Sequence, residues 1–151
     1  YEKDRTQSDV LEIIPKYMFS SEMIDICKSM KEGAFKFIEN SSRHETQLTI
    51  YGDHHGYEWH HDNGFGRFVN WILYIDIDSD FTGGENQISN DEYIIGNDNT
   101  PYNVDISTKP KDNMLIIMPS WVTHRVSPVF CKSKDKLKGR ITINGHIGYI
   151  K

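Results

Sequence analysis

From Gln47 onward the chain consists of short runs rich in β-branched and aromatic residues, separated by segments rich in Gly, Asn and Asp. Runs of this length and composition predict β-strands joined by turns. The predicted strands are QLTIY, YEWHHD, FVNWILYID, ENQIS, EYIIG, YNVDIS, NMLIIMP, HRVSPVF and RITINGHIGYI. Because these strands do not alternate with helices, the pattern favours a jelly roll or a small barrel.

The N-terminal part of the chain has a different pattern. VLEIIPKYMF predicts a short strand that Pro15 breaks, and SSEMIDICKSMKEGAFKFIEN predicts one amphipathic helix because its apolar residues recur near helical spacing. A chain of 151 residues has the size of one domain. We therefore predict a single domain over residues 1–151, in which residues 1–46 support a jelly-roll core formed by residues 47–151.

Charge and composition exclude some classes of function. The net charge of −5 argues against a general binder of nucleic acid or of acidic membranes. The short basic segment CKSKDKLKGR predicts a solvated hairpin loop. The two cysteines are too few for a disulfide framework, and no apolar run is long enough to span a membrane, so we expect a cytoplasmic protein. Nothing in the sequence indicates an oligomeric state.

The segment YEWHHDN carries the first candidate for chemistry. In a strand, alternate residues share a face, so His60 and Asp62 point one way and His61 points the other. The motif His-x-Asp by itself also fits a polar strand end. On one face, however, an imidazole and a carboxylate can occupy two neighbouring positions of a metal ion, and a third ligand must then come from another strand.

Few histidines can supply that third ligand. His44 precedes the predicted sheet, and His54 and His55 lie in a glycine-flanked loop. His124 begins a predicted strand and is the only histidine between Asp62 and His146. Two histidines and one carboxylate with open positions are typical of non-haem Fe(II) oxygenases, whereas a structural zinc site usually closes with a fourth protein ligand.

Arg140 is the candidate anchor for an anionic co-substrate. A dicarboxylate that chelates a metal at one end needs a cation at the other, and arginine suits a carboxylate because of its bidentate fork. Arg140 opens the predicted strand RITINGHIGYI, and alternation places Thr142, Asn144 and His146 on its face. Taken alone, Arg140 also fits a surface arginine at the end of a loop.

Several motifs in one order resemble the iron(II)- and 2-oxoglutarate-dependent oxygenases, specifically their prolyl 4-hydroxylase-like branch. The resemblance runs from about Tyr51 to Ile147. It rests on the segments YGDHHGYEWHHDN, GRFVNWILYID, DFTGGE, PSWVTHRVSPV and GRITINGH.

The resemblance implies a mainly β double-stranded β-helix, that is, a cupin-like jelly roll with an N-terminal helix packed outside it. It implies Fe(II) held by His60, Asp62 and His124. It also implies 2-oxoglutarate and O2 as co-substrates, with ascorbate supporting activity. Arg140 would act in catalysis by pairing with the far carboxylate of 2-oxoglutarate. The remaining candidates beside the co-substrate are Tyr74, Tyr51, Thr142 and Asn144.

The same resemblance implies a proline in a peptide or protein as the substrate. The substrate-side candidates are Tyr57, Arg67, Trp71 and His146, and Trp59 and Trp121 are aromatic residues that fit either the mouth of the pocket or the core. The sequence departs from the family in a longer hairpin between His124 and Arg140, in a shortened loop before His60, and in His146, where relatives often carry Trp. An oxygenase acting on another target and a non-catalytic jelly-roll binding module remain as alternatives.

Overall fold

The computed structural model of the chain describes residues 9–12, 43–75, 80–91 and 102–149. The helix predicted over SSEMIDICKSMKEGAFKFIEN and the strand predicted over EYIIG lie outside these residues. The described residues contain no helix that is long and apolar enough to cross a membrane.

Eleven strands form within the described residues. They are β1 (Asp9–Glu12), β2 (Arg43–Tyr51), β3 (Tyr57–His60), β4 (Arg67–Tyr74), β5 (Phe81–Gly83), β6 (Asn86–Ser89), β7 (Ile106–Thr108), β8 (Leu115–Pro119), β9 (Thr123–Val126), β10 (Val129–Cys131) and β11 (Arg140–Gly148). Short 3-10 turns lie at Gly64–Gly66 and Lys136–Lys138.

The strands assemble into antiparallel sheets in which most neighbours are not consecutive in sequence. One five-stranded sheet has the order β1-β2-β11-β4-β8, one four-stranded sheet has the order β3-β9-β6-β7, and β10 pairs with β5. The last strand of the chain, β11, therefore lies between β2 and β4 at the centre of the larger sheet. This arrangement confirms the predicted mainly β jelly roll, and the helix predicted to flank it lies outside the described residues.

Three predicted strands differ clearly from the observed ones. YNVDIS is a strand only from Ile106 onward, in β7. HRVSPVF forms two strands, β9 and β10, because Pro128 has no N–H to donate and interrupts the ladder. YEWHHD ends as a strand at His60, so Asp62 lies two residues beyond β3. The predicted basic loop is confirmed as largely exposed, as Lys132 and Lys134 show.

The two faces of the central strands have different roles. On β4, Val69 and Trp71 pack with Ile147 of β11 in a buried apolar cluster. The intervening residues of β4 point to the other face, where Ile72 and Tyr74 pack with residues of the neighbouring strands. Both faces of β4 are therefore covered, and one of them faces the site described below.

Register across β2, β11 and β4 places polar residues in rows. The rows are Tyr51–Arg140, Thr49–Thr142–Tyr74, Gln47–Asn144–Ile72 and Glu45–His146–Asn70. The predicted shared face of Arg140, Thr142, Asn144 and His146 is thus found, since these residues line one cavity together.

Candidate active site

A cavity of about 430 Å³ lies between the five-stranded and four-stranded sheets. Nearly all of the predicted site residues line it, namely His60, Asp62, His124, Arg140, Tyr51, Thr142, Asn144, Tyr57, Arg67, Trp71 and His146. Tyr74 joins this set through its hydroxyl, which accepts a hydrogen bond of 3.3 Å from Nη2 of Arg140. The fold therefore brings together residues that lie far apart in sequence.

His60, Asp62 and His124 form one cluster in this cavity. Their candidate ligand atoms all lie within 4.8 Å of one another. The two histidines face each other across the β3–β9 pair. The backbone N–H of Asp62 donates to the Ser120 carbonyl oxygen at 2.7 Å, which fixes the backbone of Asp62 beyond the end of β3. Among the described residues, this is the only such group of potential metal ligands.

Backbone carbonyl groups determine which ring nitrogen of each histidine faces the cluster. Nδ1 of His60 lies 2.7 Å from the Glu58 carbonyl oxygen, and Nδ1 of His124 lies 2.8 Å from that of Val122. Because a carbonyl oxygen only accepts, each Nδ1 carries the hydrogen and each Nε2 keeps its lone pair. Nε2 of His60 lies 3.7 Å from Oδ1 of Asp62, and Nε2 of His124 lies 3.4 Å from Oδ2.

Burial keeps both histidines neutral. It lowers the pKa of His60 to about 3, with a further contribution from the neighbouring His124. Burial likewise lowers the pKa of His124. A neutral imidazole is the form that binds a metal ion, so both rings are in the binding form at neutral pH.

Asp62 is the charged member of the cluster. Burial alone would raise the pKa of its carboxyl group, but the charges that His60 and His124 carry when protonated outweigh this effect and the pKa is lowered. Nδ2 of Asn70 donates a hydrogen bond of 2.7 Å to Oδ2 of Asp62. The group is therefore a carboxylate at neutral pH, which completes a set of two imidazoles and one carboxylate.

Asn70 was not among the residues predicted from the sequence. It lies on β4 two residues before Ile72 and is only 2% exposed. Its side chain contacts Asp62, Ser120 and His146. Alternation along β4 places it on the same face as Tyr74, which is the one signal in the sequence that points to it.

Arg140 is a buried cation that pairs with no carboxylate in the part of the chain that the structure describes. It is 2% exposed, and its guanidinium lies over the rings of Tyr51 and Tyr74 at 4.7 and 4.9 Å. Its Nε atom is buried and has no hydrogen-bond acceptor among the described residues, and none of their carboxylates lies within ion-pair distance. Since an unpaired buried charge is strongly unfavourable, this end of the cavity suits an anion.

The substrate-side candidates differ in what they contact. The ring of Tyr57 stacks on that of His60 at 4.0 Å between centroids. Arg67 is engaged by Glu45 through two contacts, one of them 3.0 Å from Nε to Oε1. Trp71 is 1% exposed and belongs to the core as much as to the cavity.

His61 and Trp121 lie away from this cavity. They line a second one, of about 440 Å³, on the other side of the His60–Asp62 segment. The predicted opposite orientation of His61 is therefore observed. Trp121 is 53% exposed and does not line the first cavity, so it lies neither in the core nor at the mouth of that cavity. The guanidinium carbon of Arg125 lies 4.8 Å from the ring centroid of Trp59, which also stacks near Tyr102 and does not line the first cavity.

Comparison with known proteins gives one family and several similar structures. Residues 46–148 match the family model described as the 2OG-Fe(II) oxygenase superfamily. No curated protein sequence matches the chain significantly.

Among solved structures, a Pseudomonas putida prolyl-4-hydroxylase is similar with a TM-score of 0.65 and 17% identity, over 95% of this chain and 73% of that one. A prolyl hydroxylase from Trichoplax adhaerens, solved with a hypoxia inducible factor peptide fragment, has a TM-score of 0.62 and 19% identity, over 95% of this chain and 63% of that one. The chain thus spans less than two thirds of this second relative. At these identities the likeness shows a shared fold.

Proposed function

This chain belongs to the 2OG-Fe(II) oxygenase superfamily, whose model matches residues 46–148, and from that premise we propose that it is a dioxygenase that hydroxylates a peptidyl proline. Membership of the family implies Fe(II), 2-oxoglutarate and O2. The proposal assigns each of these requirements, and the substrate, to residues of the cavity.

The donor set of the cluster fits Fe(II). Two neutral imidazole nitrogens and one carboxylate form the facial set that non-haem Fe(II) enzymes use. We assign His60, Asp62 and His124 as the ligands, since their candidate atoms lie within 4.8 Å of one another. When bound, the ion supplies the redox chemistry by which O2 converts 2-oxoglutarate to succinate and CO2 and adds one oxygen atom to a substrate C–H bond.

The burial of Arg140 is the observation that best supports the proposal. Its buried guanidinium has no carboxylate partner among the described residues, so an incoming carboxylate gains a charge-assisted pair at a site that is already desolvated. The Tyr74 hydroxyl, which accepts from Arg140, can donate its own hydrogen to the same carboxylate. A metal cluster and a buried arginine in one cavity suit a dicarboxylate that spans them.

The other residues of this face shape the co-substrate pocket. Thr142 lies on the Arg140 face of β11, beside Thr49 of β2. The Thr49 hydroxyl donates a hydrogen bond of 2.7 Å to Oδ1 of Asn144, and this bond holds the Asn144 amide in place. Tyr51 covers the guanidinium of Arg140 and limits its exposure to water. We assign Tyr51, Thr142 and Asn144 to the wall that orients 2-oxoglutarate and keeps water out.

Three points support proline in a peptide as the target. The sequence motifs resemble the prolyl 4-hydroxylase-like branch, and both similar structures named above are prolyl hydroxylases. One of those proteins was solved with a peptide fragment. In this chain, Tyr57 beside His60 provides an aromatic wall next to the metal cluster. We assign Tyr57, Arg67, Trp71 and His146 to the substrate side of the cavity. We also propose that ascorbate supports activity as a reductant.

One observation favours a different target within the same family. The wall of the cavity opposite the metal cluster is polar where His146 contacts Asn70, and Gln47 lines the same side. A pyrrolidine ring has no donor or acceptor for such a wall, whereas a polar side chain or a small metabolite does. The second candidate is therefore an oxygenase that hydroxylates a polar substrate.

The test is succinate formation by the metal-replete protein with 2-oxoglutarate and O2, in the presence of proline-containing peptides. Matched peptides with alanine in place of proline serve as controls, and Asp62→Ala serves as the inactive variant. We expect peptide-stimulated turnover and a product heavier by one oxygen atom at proline.

Turnover without stimulation by any peptide would support the second candidate. Absence of turnover in metal-replete protein would overturn the oxygenase proposal and favour a non-catalytic binding module.

A further inference from the structure

The side chain of Asn70 connects the metal-binding carboxylate to the opposite wall of the cavity. We propose that Asn70 is a positioning residue, which orients Asp62 through Nδ2 and fixes His146 as the Nδ1–H tautomer through Oδ1. The Asp62 half of this inference rests on the proposed Fe(II) site, whereas the His146 half concerns the protein alone.

The hydrogen bonds of Asn70 define the orientation of its amide. Oδ2 of Asp62 lies 2.7 Å from one end of the amide, and an ionised carboxylate only accepts. That end must therefore be the donor, Nδ2. Flipping the amide would place two acceptor oxygens against each other in a buried site, which is unfavourable.

The same orientation fixes the proton on His146. The other end of the Asn70 amide is Oδ1, which accepts from the Ser120 hydroxyl at 2.8 Å and lies 2.8 Å from Nδ1 of His146. Since Oδ1 cannot donate, Nδ1 of His146 carries the hydrogen. Burial lowers the pKa of His146 to about 4, so the ring holds a single proton at neutral pH. Nε2 of His146 therefore keeps its lone pair.

This tautomer has a consequence for the cavity. His146 lines it and is 9% exposed, and Nε2 has no hydrogen-bond partner among the described residues. His146 also lies outside the cluster of His60, Asp62 and His124. The ring thus presents an acceptor to the cavity, complementary to an N–H or O–H group.

Asn70 orients Asp62 because its Nδ2 donates a hydrogen bond to one lone pair of Oδ2. The bond from Asn70 restrains the carboxylate of Asp62, whose backbone is held beyond the end of β3 by its bond to Ser120. Partners that orient a ligand in this way are worth about 10- to 100-fold in metal affinity. Ser120 in turn restrains Asn70, because Oδ1 of Asn70 accepts a hydrogen bond from the Ser120 hydroxyl.

Histidine ¹⁵N NMR at neutral pH tests the His146 half directly. Long-range ¹H–¹⁵N correlations are recorded on the full chain, both metal-free and loaded with diamagnetic Zn(II). We expect a protonated Nδ1 and an unprotonated Nε2 for His146 in both samples, and the same pattern in Ser120→Ala, which keeps the Asn70 acceptor. A predominant Nε2–H form in the unmodified protein would overturn the inference. This measurement needs no substitution at Asn70.

Binding of Mn(II) to the full chain, measured by calorimetry, tests the Asp62 half. Asn70→Leu is expected to bind Mn(II) about 10- to 100-fold more weakly and to shift His146 towards the Nε2–H form. Asn86→Leu is the matched control, because Asn86 is a fully buried asparagine of β6 that does not line the cavity. It should bind Mn(II) as the unmodified protein does. Thermal unfolding verifies that both variants are folded.

Wild-type affinity in a folded Asn70→Leu protein would overturn the positioning role. If Asn70→Leu does not fold, Asn70→Ser takes its place with the same expectation. If the unmodified protein binds no Mn(II), the proposed metal site and the Asp62 half both fail. The tautomer of His146 in the metal-free chain then still decides the other half.

Discussion

Arg140 shows how function and stability oppose each other at a single residue. The guanidinium is buried between two tyrosine rings and has no carboxylate partner among the described residues. Within the described part of the chain, folding therefore desolvates a cation that has no ion pair, and a bound carboxylate relieves that cost. The residue is better explained by a ligand than by the stability of the metal-free protein.

Replacing Arg140 with methionine separates these two effects. We expect metal-free Arg140→Met to unfold at a temperature equal to or a few degrees above that of the unmodified protein, since about 1 kcal/mol corresponds to about 2–4 °C at this size. Its affinity for 2-oxoglutarate in the presence of Mn(II) should fall about 10- to 100-fold, the range for a lost charge-assisted hydrogen bond.

Scanning calorimetry and titration calorimetry provide the two measurements. Arg140→Lys is the control that keeps the charge and loses the planar fork, and it should show an intermediate affinity. A marked loss of stability in Arg140→Met with unchanged affinity would instead show that the arginine serves packing against Tyr51 and Tyr74.

The neighbouring histidines His60 and His61 should differ sharply in metal binding. His60→Ala removes a metal ligand. Its affinity for Mn(II) should fall by more than the roughly 10- to 100-fold that is lost when a residue that only orients a ligand is removed. His61→Ala should retain the Mn(II) affinity of the unmodified protein, because His61 lines the second cavity. Metal stoichiometry and calorimetry measure both, and equal losses in the two variants would contradict the assigned faces.

At the scale of the strand, alternation accounts for what the sequence could predict. The face of β11 shared by Arg140 and His146 follows from a period of two and needs no knowledge of pairing. The contact between Asn70 and Asp62 was missed because it joins β4 to the segment after β3, and only the assembled sheets show that these lie side by side. The sequence could not decide between the two places open to Trp121 for the same reason, since the exposure of a side chain depends on how the strands assemble.

Close packing of β2 against β11 requires a glycine at position 145. A Cβ atom there would collide with the backbone carbonyl oxygen of Glu45 and press on the Trp71 ring. We expect Gly145→Ala to destabilise the protein by about 3 kcal/mol or more, because backbone cannot move aside as a flexible side chain does. Thermal unfolding measures the effect.

Gly64→Ala is the matched control for this prediction. A Cβ at Gly64 has no atom within 4 Å, so this variant should unfold close to the temperature of the unmodified protein. Equal stability of Gly145→Ala and Gly64→Ala would show that β2 and β11 are not packed as closely as described.

For the whole molecule, the cavity between the sheets is lined by three buried histidines, His60, His124 and His146. Burial lowers the pKa of His60 to about 3 and that of His146 to about 4, from an ordinary value of 6.5. Burial also lowers the pKa of His124. The folded state therefore resists protonation that the unfolded chain accepts, and this links the stability of the fold to pH.

The metal-free protein should lose stability as the pH falls from about 6.5 towards 4. In that window the unfolded chain binds protons that folded His60 and His146 exclude. Each excluded proton lowers the free energy of unfolding by up to about 1.4 kcal/mol per pH unit. The contribution is fully present above pH 6.5, the unfolded value, and is lost progressively below it.

Urea unfolding at a series of pH values measures how the free energy of unfolding changes with pH. In His60→Gln, unfolding should take up about one proton fewer in this pH window, so this dependence should be weaker. A free energy of unfolding that does not change across the window would contradict the description of these histidines as buried and neutral.

We propose that one cavity holds a metal ion at the His60–Asp62–His124 cluster and 2-oxoglutarate between that ion and Arg140. Titration calorimetry of 2-oxoglutarate into the full chain, with and without Mn(II), tests it most directly. We predict binding of one molecule per chain in the presence of Mn(II) and much weaker binding in its absence, because the metal and the arginine each hold one end of the co-substrate. If 2-oxoglutarate does not bind with Mn(II), or binds equally well without it, the metal ion and Arg140 do not hold the two ends of the co-substrate.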